Sequence, residues 1–133
     1  SYEVVKALAS QRKGDLFVET LGGTTEAIQN LLLQSQRGII QLFPAWPRER
    51  SASFRNLRAR GAFLVSARSE KGMVSNLRIK SLASELCRLE NPWPGRVLIA
   101  AGSDGSRVPL EGDIVDFSTH ERVEYRVAPR EKQ

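Results

Sequence analysis

The 133-residue sequence carries 41% hydrophobic and 26% charged residues, an ordinary soluble balance that suffices for one domain with its own core plus a helical appendage. No apolar run approaches the roughly 20 residues that a membrane span requires, and Cys87 stands alone, which excludes an internal disulfide and a cysteine-built zinc site. Twenty basic residues against 15 acidic ones leave a formal net charge of +5, a statement about solubility and anionic partners rather than about fold.

In chain order, Val4, Val5, Ala7 and Leu8 predict a short helix, with Arg12 and Lys13 in its last turn and Gly14 just past it. No stretch there is apolar enough for a secretory signal. Asp15 to Thr20 reads as a brief extended piece closed by Gly22-Gly23. Thr24 or Thr25 can cap a second helix, with Glu26 in its first turn and Ile28, Leu31 and Leu32 on one face. Leu33 widens that face and Gly38 is the expected stop. Such an apolar stripe needs a partner to bury it.

From Ile39 the period becomes that of strands. Ile39, Ile40, Leu42 and Phe43 predict a short apolar strand, and Pro44-Ala45-Trp46-Pro47 a stiff corner, because each proline fixes its own φ and restricts its predecessor. Residues 62–67 and 73–82 read as a hairpin around Ser69-Glu70-Lys71-Gly72, with Leu77 and Ile79 alternating against Arg78 and Lys80. Further strands are expected at 86–89, 97–100 and 123–127, separated by Asn91-Pro92-Trp93-Pro94-Gly95 and Ala101-Gly102-Ser103-Asp104-Gly105. Short strands at regular spacing indicate a sandwich or barrel. The expected fold is mainly β: a small antiparallel β-sandwich over residues 38–133, preceded by one or two helices within residues 1–37.

Candidate chemistry is sparse. Arg48, Arg50, Arg55, Arg58 and Arg60 cluster with only Glu49 opposing them. A nucleic-acid interface would add stacking aromatics in a known module, and no such signature follows, so a solvated face or an interface with acidic groups of a neighbouring domain suits these planar cations better. Trp46 and Trp93 each sit between prolines; they read as plugs packing two corners, with a sugar-stacking platform as the alternative. His120 lacks a second histidine or a nucleophile pattern. Gly102 to Ser106 resembles a calcium loop only in composition and reads as a turn. No residue pattern calls for a metal or another cofactor.

Leu32-Leu33-Gln34-Ser35, then Leu42-Phe43-Pro44-Ala45 with Pro47, then Leu57-Arg58-Ala59 with Gly61-Ala62-Phe63, resemble in order and spacing the end of the helical barrel and the start of the C-terminal β-domain in glycoside hydrolase family 95 (α-L-fucosidase-type enzymes). Arg78 to Ala83 with Cys87 resembles the strand pair that follows, so the likeness spans Leu16 to Arg88. It implies an (α/α)6 barrel upstream, ending within residues 1–37, and a parent enzyme, secreted or periplasmic, that hydrolyses α-L-fucosides or related sugars with inversion. Inversion needs an acid for the leaving oxygen and a base for the attacking water. In the family the acid lies in the barrel, and an aspartate before the last barrel helix assists asparagines in positioning water. That aspartate's position falls on Glu19, where Val18-Glu19-Thr20 replaces an Ile-Asp-Gly-Asn pattern: the carboxylate is kept, one methylene longer. The implied partners are the upstream barrel of the same chain and an oligosaccharide substrate, with neither nucleic acid nor membrane, and the isolated segment is not expected to be catalytic. The alternative function is a carbohydrate-binding sandwich that uses Trp46 or Trp93.

Overall fold

The computed structural model describes residues 16–19 and 26–131; the helix expected around Val4 to Lys13 lies outside them. The first strand, β1 (Leu16–Glu19), occupies the predicted extended piece. Helix α1 (Glu26–Leu32) follows, but it ends six residues before Gly38. Leu33 and Gln34 leave the helix as β2 (Leu33–Gln34) and pair with β3 (Gln41–Leu42), while Gly38 (φ 78°) serves the turn between them. The helix gives way because Leu33 can enter the β core, where it is buried. The side chain of Gln34 closes the helix by donating to the Asn30 carbonyl at 3.0 Å.

The chain then builds β4 (Ala52–Ala59), β5 (Phe63–Glu70), β6 (Met73–Ser81), β7 (Leu86–Glu90), β8 (Leu98–Gly102), β9 (Arg107–Leu110), β10 (Ile114–Ser118) and β11 (Glu124–Pro129). The hairpin between β5 and β6 forms as expected, on a turn whose central residues are Lys71 (φ 51°) and Gly72 (φ 78°). Two consecutive positive φ values define the primed turn whose twist matches that of paired strands. A Cβ at residue 72 would also stand 2.5 Å from Arg48 Nε.

Seven strands form one sheet in the order β1-β4-β5-β6-β11-β8-β9, antiparallel except for the parallel β1–β4 pair. Against it lie the two-stranded sheets β10–β7 and β2–β3, tied to each other by a bridge between Ile40 and Leu89. This is a sandwich-like arrangement with unequal layers. Alternation along the strands puts Phe54, Leu57, Val65, Ile79 and Tyr125 inside with Leu32, Ile40, Cys87, Leu89 and Phe117 from the opposing layer. Phe117 meets Tyr125 edge-on at 5.3 Å, and Phe43, at the corner after β3, meets Phe54 at the same distance. Aromatic pairs of this geometry add about 0.5–1.5 kcal/mol beyond the area they bury.

Besides β2, three strands escape the sequence pattern. In β4 a bulge at Arg55–Asn56 breaks the alternation; Asn56 takes φ 56° and its N–H donates to Ser66 Oγ at 3.0 Å. The β9 strand contains Pro109 and stands at the sheet's edge, where a missing N–H is tolerated. The β10 strand alternates cleanly but is only five residues long.

Candidate functional site

Glu19 ends β1. Leu16 and Val18 face the core, so Phe17 and Glu19 face outward. Parallel register sets Glu19 beside Arg55, and Arg55 Nη1 lies 3.5 Å from Glu19 Oε1. The same guanidinium sits 5.6 Å from the centre of the Phe17 ring, which is 45% exposed. A carboxylate, an arginine and an open aromatic ring thus occur together at one end of the outer sheet face. Alternation from Ala52 and Phe54 turns Arg55 outward, and the bulge that follows exposes Asn56 beside it before Leu57 returns to the core. An open trough of about 500 Å³ continues from there, lined among others by Ser66, Arg68, Asn76, Arg78 and Glu124.

The two tryptophans are placed differently. Trp46 is 6% exposed, and its indole N–H donates to the Arg50 carbonyl at 2.8 Å. Trp93 is 9% exposed, and its indole N–H donates to the Val74 carbonyl at 3.0 Å. Buried Asn91 holds the second corner: its Oδ1 accepts the Trp93 backbone N–H at 2.8 Å, and its amide donates to the carbonyls of Arg96 and Gly112. Both rings pack corners, and both N–H groups are spent on backbone. A groove of about 340 Å³ beside Trp46 collects Gln41, Arg48 and Glu90, with the Gln41 amide donating to Glu90 Oε2 at 2.7 Å.

The arginines contiguous in sequence are not contiguous in space. Arg55 and Arg58 lie on the outer face of β4. Arg60 instead turns to the loop after β2, where its guanidinium donates to the Gln36 carbonyl at 2.9 Å, and Arg48 lies over Gly72. The arginines that do share a face, Arg78, Arg107 and Arg126, come from three distant strands, and cross-strand register is the signal that links them.

The remaining polar groups serve structure. Ser81 and Thr119, both buried, pair through their hydroxyls at 2.8 Å, and Thr119 Oγ1 donates onward to the Glu85 carbonyl. Burial pushes the Cys87 thiol up to about 12, which leaves it un-ionised and unreactive. Gly102 to Ser106 forms the β8–β9 turn, in which Asp104 Oδ1 accepts from the Ser106 hydroxyl and backbone N–H. Those bonds hold the Asp104 carboxyl below its ordinary range. The His120 backbone N–H donates to the Tyr125 hydroxyl at 2.8 Å. Among the described residues no cluster of three or more His, Cys, Asp or Glu is placed to hold a metal ion, and no helix is long and apolar enough to cross a membrane.

The family model described as glycoside hydrolase family 95, C-terminal domain, matches residues 34–127. The match opens at β2 and runs into β11, beyond the segment in which the sequence motifs lie. Comparison with curated proteins returns no match.

Proposed function

The chain belongs to glycoside hydrolase family 95 as its C-terminal domain, and from that premise we propose that it is the accessory, structural domain of an enzyme resembling inverting α-L-fucosidases. In this reading residues 1–37 carry the end of the upstream helical barrel, although β1 and β2 within them pair with strands of the β-domain, residues 38–133 seal it, and the domain does not hydrolyse sugars alone. The observation that carries the reading is where the side chains go. The apolar groups and both tryptophans are spent on an internal core, while Glu19, the residue nearest to chemistry, faces out of the sheet beside Arg55.

Glu19 is proposed to act only in the full-length enzyme, helping to position the attacking water. A carboxylate displaced by about 1 Å loses much of its effect, so its longer side chain must be matched by the barrel loop that meets it. The test is hydrolysis of an aryl α-L-fucoside by the full-length chain and by the 133-residue chain. The full-length chain should turn over with inversion, and the 133-residue chain should be silent. Turnover by the 133-residue chain would overturn the proposal. In the full-length enzyme Glu19→Gln should lower kcat by about 10²-fold or more while leaving KM within a few-fold; unchanged kcat would make Glu19 a bystander.

A further inference from the structure

One line of residues crosses the whole outer face of the seven-stranded sheet. Register aligns Arg107 with Ala101, Ala101 with Arg126, Arg126 with Arg78, and Arg78 with Ser66. Ser66 accepts from the β4 bulge that carries Arg55, and Arg55 stands beside Glu19. Four arginines therefore share a single row, separated only by small side chains.

Two of them, Arg78 and Arg126, are direct cross-strand partners. Their Cβ atoms lie about 5 Å apart in such a pairing, and like charges so placed destabilise a sheet. Of the acids on this face, Glu19 pairs with Arg55 and Glu70 with Arg68, while Glu124 stands opposite Lys80 and lines the same trough as Arg78 without an ion pair to it. Among the described residues no carboxylate lies within 4.0 Å of Arg78, Arg107 or Arg126. The face thus carries a like-charge repulsion that an anionic neighbour from outside these residues would relieve.

The make-up of the face indicates what kind of neighbour. The row is arginine, and at its end an exposed phenylalanine lies under a guanidinium. Arginine and aromatics are the residues enriched where protein surfaces meet, and lysine is depleted there. Six strand spacings of about 4.8 Å make the face about 29 Å wide, room for one side of a standard interface, roughly 800 Å². The row also ends on β1, the strand through which the upstream chain enters the sheet.

We propose that this outer sheet face is where the upstream helical domain of the same chain docks, with acidic side chains of that domain set against Arg78, Arg126 and Arg107. The inference rests on the accessory-domain reading above and adds to it the face, the residues and the charge of the partner. It also sets Glu19 at the margin of the docked surface.

The experiment uses the full-length chain with Arg78→Glu and Arg126→Glu combined, the milder Arg126→Gln, and Arg37→Glu as a control in the β2–β3 turn. Small-angle scattering and limited proteolysis between the domains are the readouts, with circular dichroism to establish that each variant keeps its strands. The wild type should be compact. The double reversal should enlarge its radius of gyration and speed interdomain cleavage about tenfold, with a smaller effect for Arg126→Gln and none for Arg37→Glu. A double reversal that remains compact and resistant overturns the proposed face while sparing the accessory-domain reading. If the double reversal does not fold, an Arg126→Gln chain indistinguishable from wild type overturns it equally. A wild type whose two parts move independently removes the accessory-domain reading itself. Retention of DNA by the wild type, lost in the double reversal without loosening, would make the row a nucleic-acid surface instead.

Discussion

The two faces of the seven-stranded sheet are built from the same strands, one residue apart, and their chemistry is opposite. Along β6, Leu77 and Ile79 are buried while Arg78 and Lys80 are exposed; along β11, Tyr125 and Val127 are buried and Arg126 is exposed. The inner face is closed by a second layer and satisfied within the domain. The outer face is open and carries a charge imbalance that its own residues do not cancel. Several motif residues that identify the family, among them Leu57, Ala59 and Phe63, lie on the inner face, where packing restricts them. The residues that could meet another part of the enzyme lie on the outer one. The family's motif residues and the proposed docking face thus lie on opposite sides of the same backbone.

The contrast can be broken most severely from the inside. Phe63 is among the largest fully buried side chains. Phe63→Ala should cost about 3–5 kcal/mol through lost burial and the cavity left behind, read as a fall in the urea midpoint; a loss below about 1 kcal/mol would mean that the two layers are not packed as described. Thr119→Val should cost about 1–3 kcal/mol, because it strands the buried Ser81 hydroxyl without its partner. Ser81→Ala in the same background should then add little, since the pair has already been broken.

Cys87 sharpens the comparison through pH. Its thiol titrates at about 12 when folded against 9.0 as the reference value. Between those values the unfolded chain releases a proton that the folded chain keeps. The contribution is fully present below pH 9 and declines as pH rises, by up to about 1.4 kcal/mol per unit. Urea midpoints at pH 8 and pH 10 should diverge more in the wild type than in Cys87→Ala; parallel changes would show that the thiol is not shielded. The smallest effect belongs to the outer face: Arg58→Ala should change stability by no more than about 0.5 kcal/mol, in contrast to its immediate neighbour Leu57 on the inside.

These differences also explain what the sequence made legible. The β5–β6 hairpin could be read because Leu77 and Ile79 alternate with cations and the turn carries Gly72. The Pro-Trp-Pro corners could be read because proline restricts the chain wherever it stands. The β4 strand could not, since its bulge puts Arg55 and Asn56 in succession on the exposed side. The end of α1 is not legible in the sequence because Gly38 is an equally good turn residue four positions beyond Gln34. At the site, the arginines from 48 to 60 are neighbours in sequence, yet Arg60 and Arg48 point elsewhere. The row that crosses the sheet joins positions 55, 78, 107 and 126, and only strand order and register bring them together. Local composition reports what a segment is; it does not report which distant segments share a face.

Exposed apolar residues allow the account to be tested on both sides of the molecule at once. Phe17 lies on the outer face of the large sheet, whereas Leu86 and Ile114 lie at opposite ends of the small β10–β7 sheet, and all three are exposed. Hydroxyl-radical footprinting of the full-length chain against the 133-residue chain reads their solvent access directly. Protection of Phe17 in the full-length chain, with Leu86 and Ile114 equally reactive in both, is the predicted result. A Phe17 as reactive in the full-length chain as in the 133-residue chain, or protection at Leu86 and Ile114 instead, would contradict it.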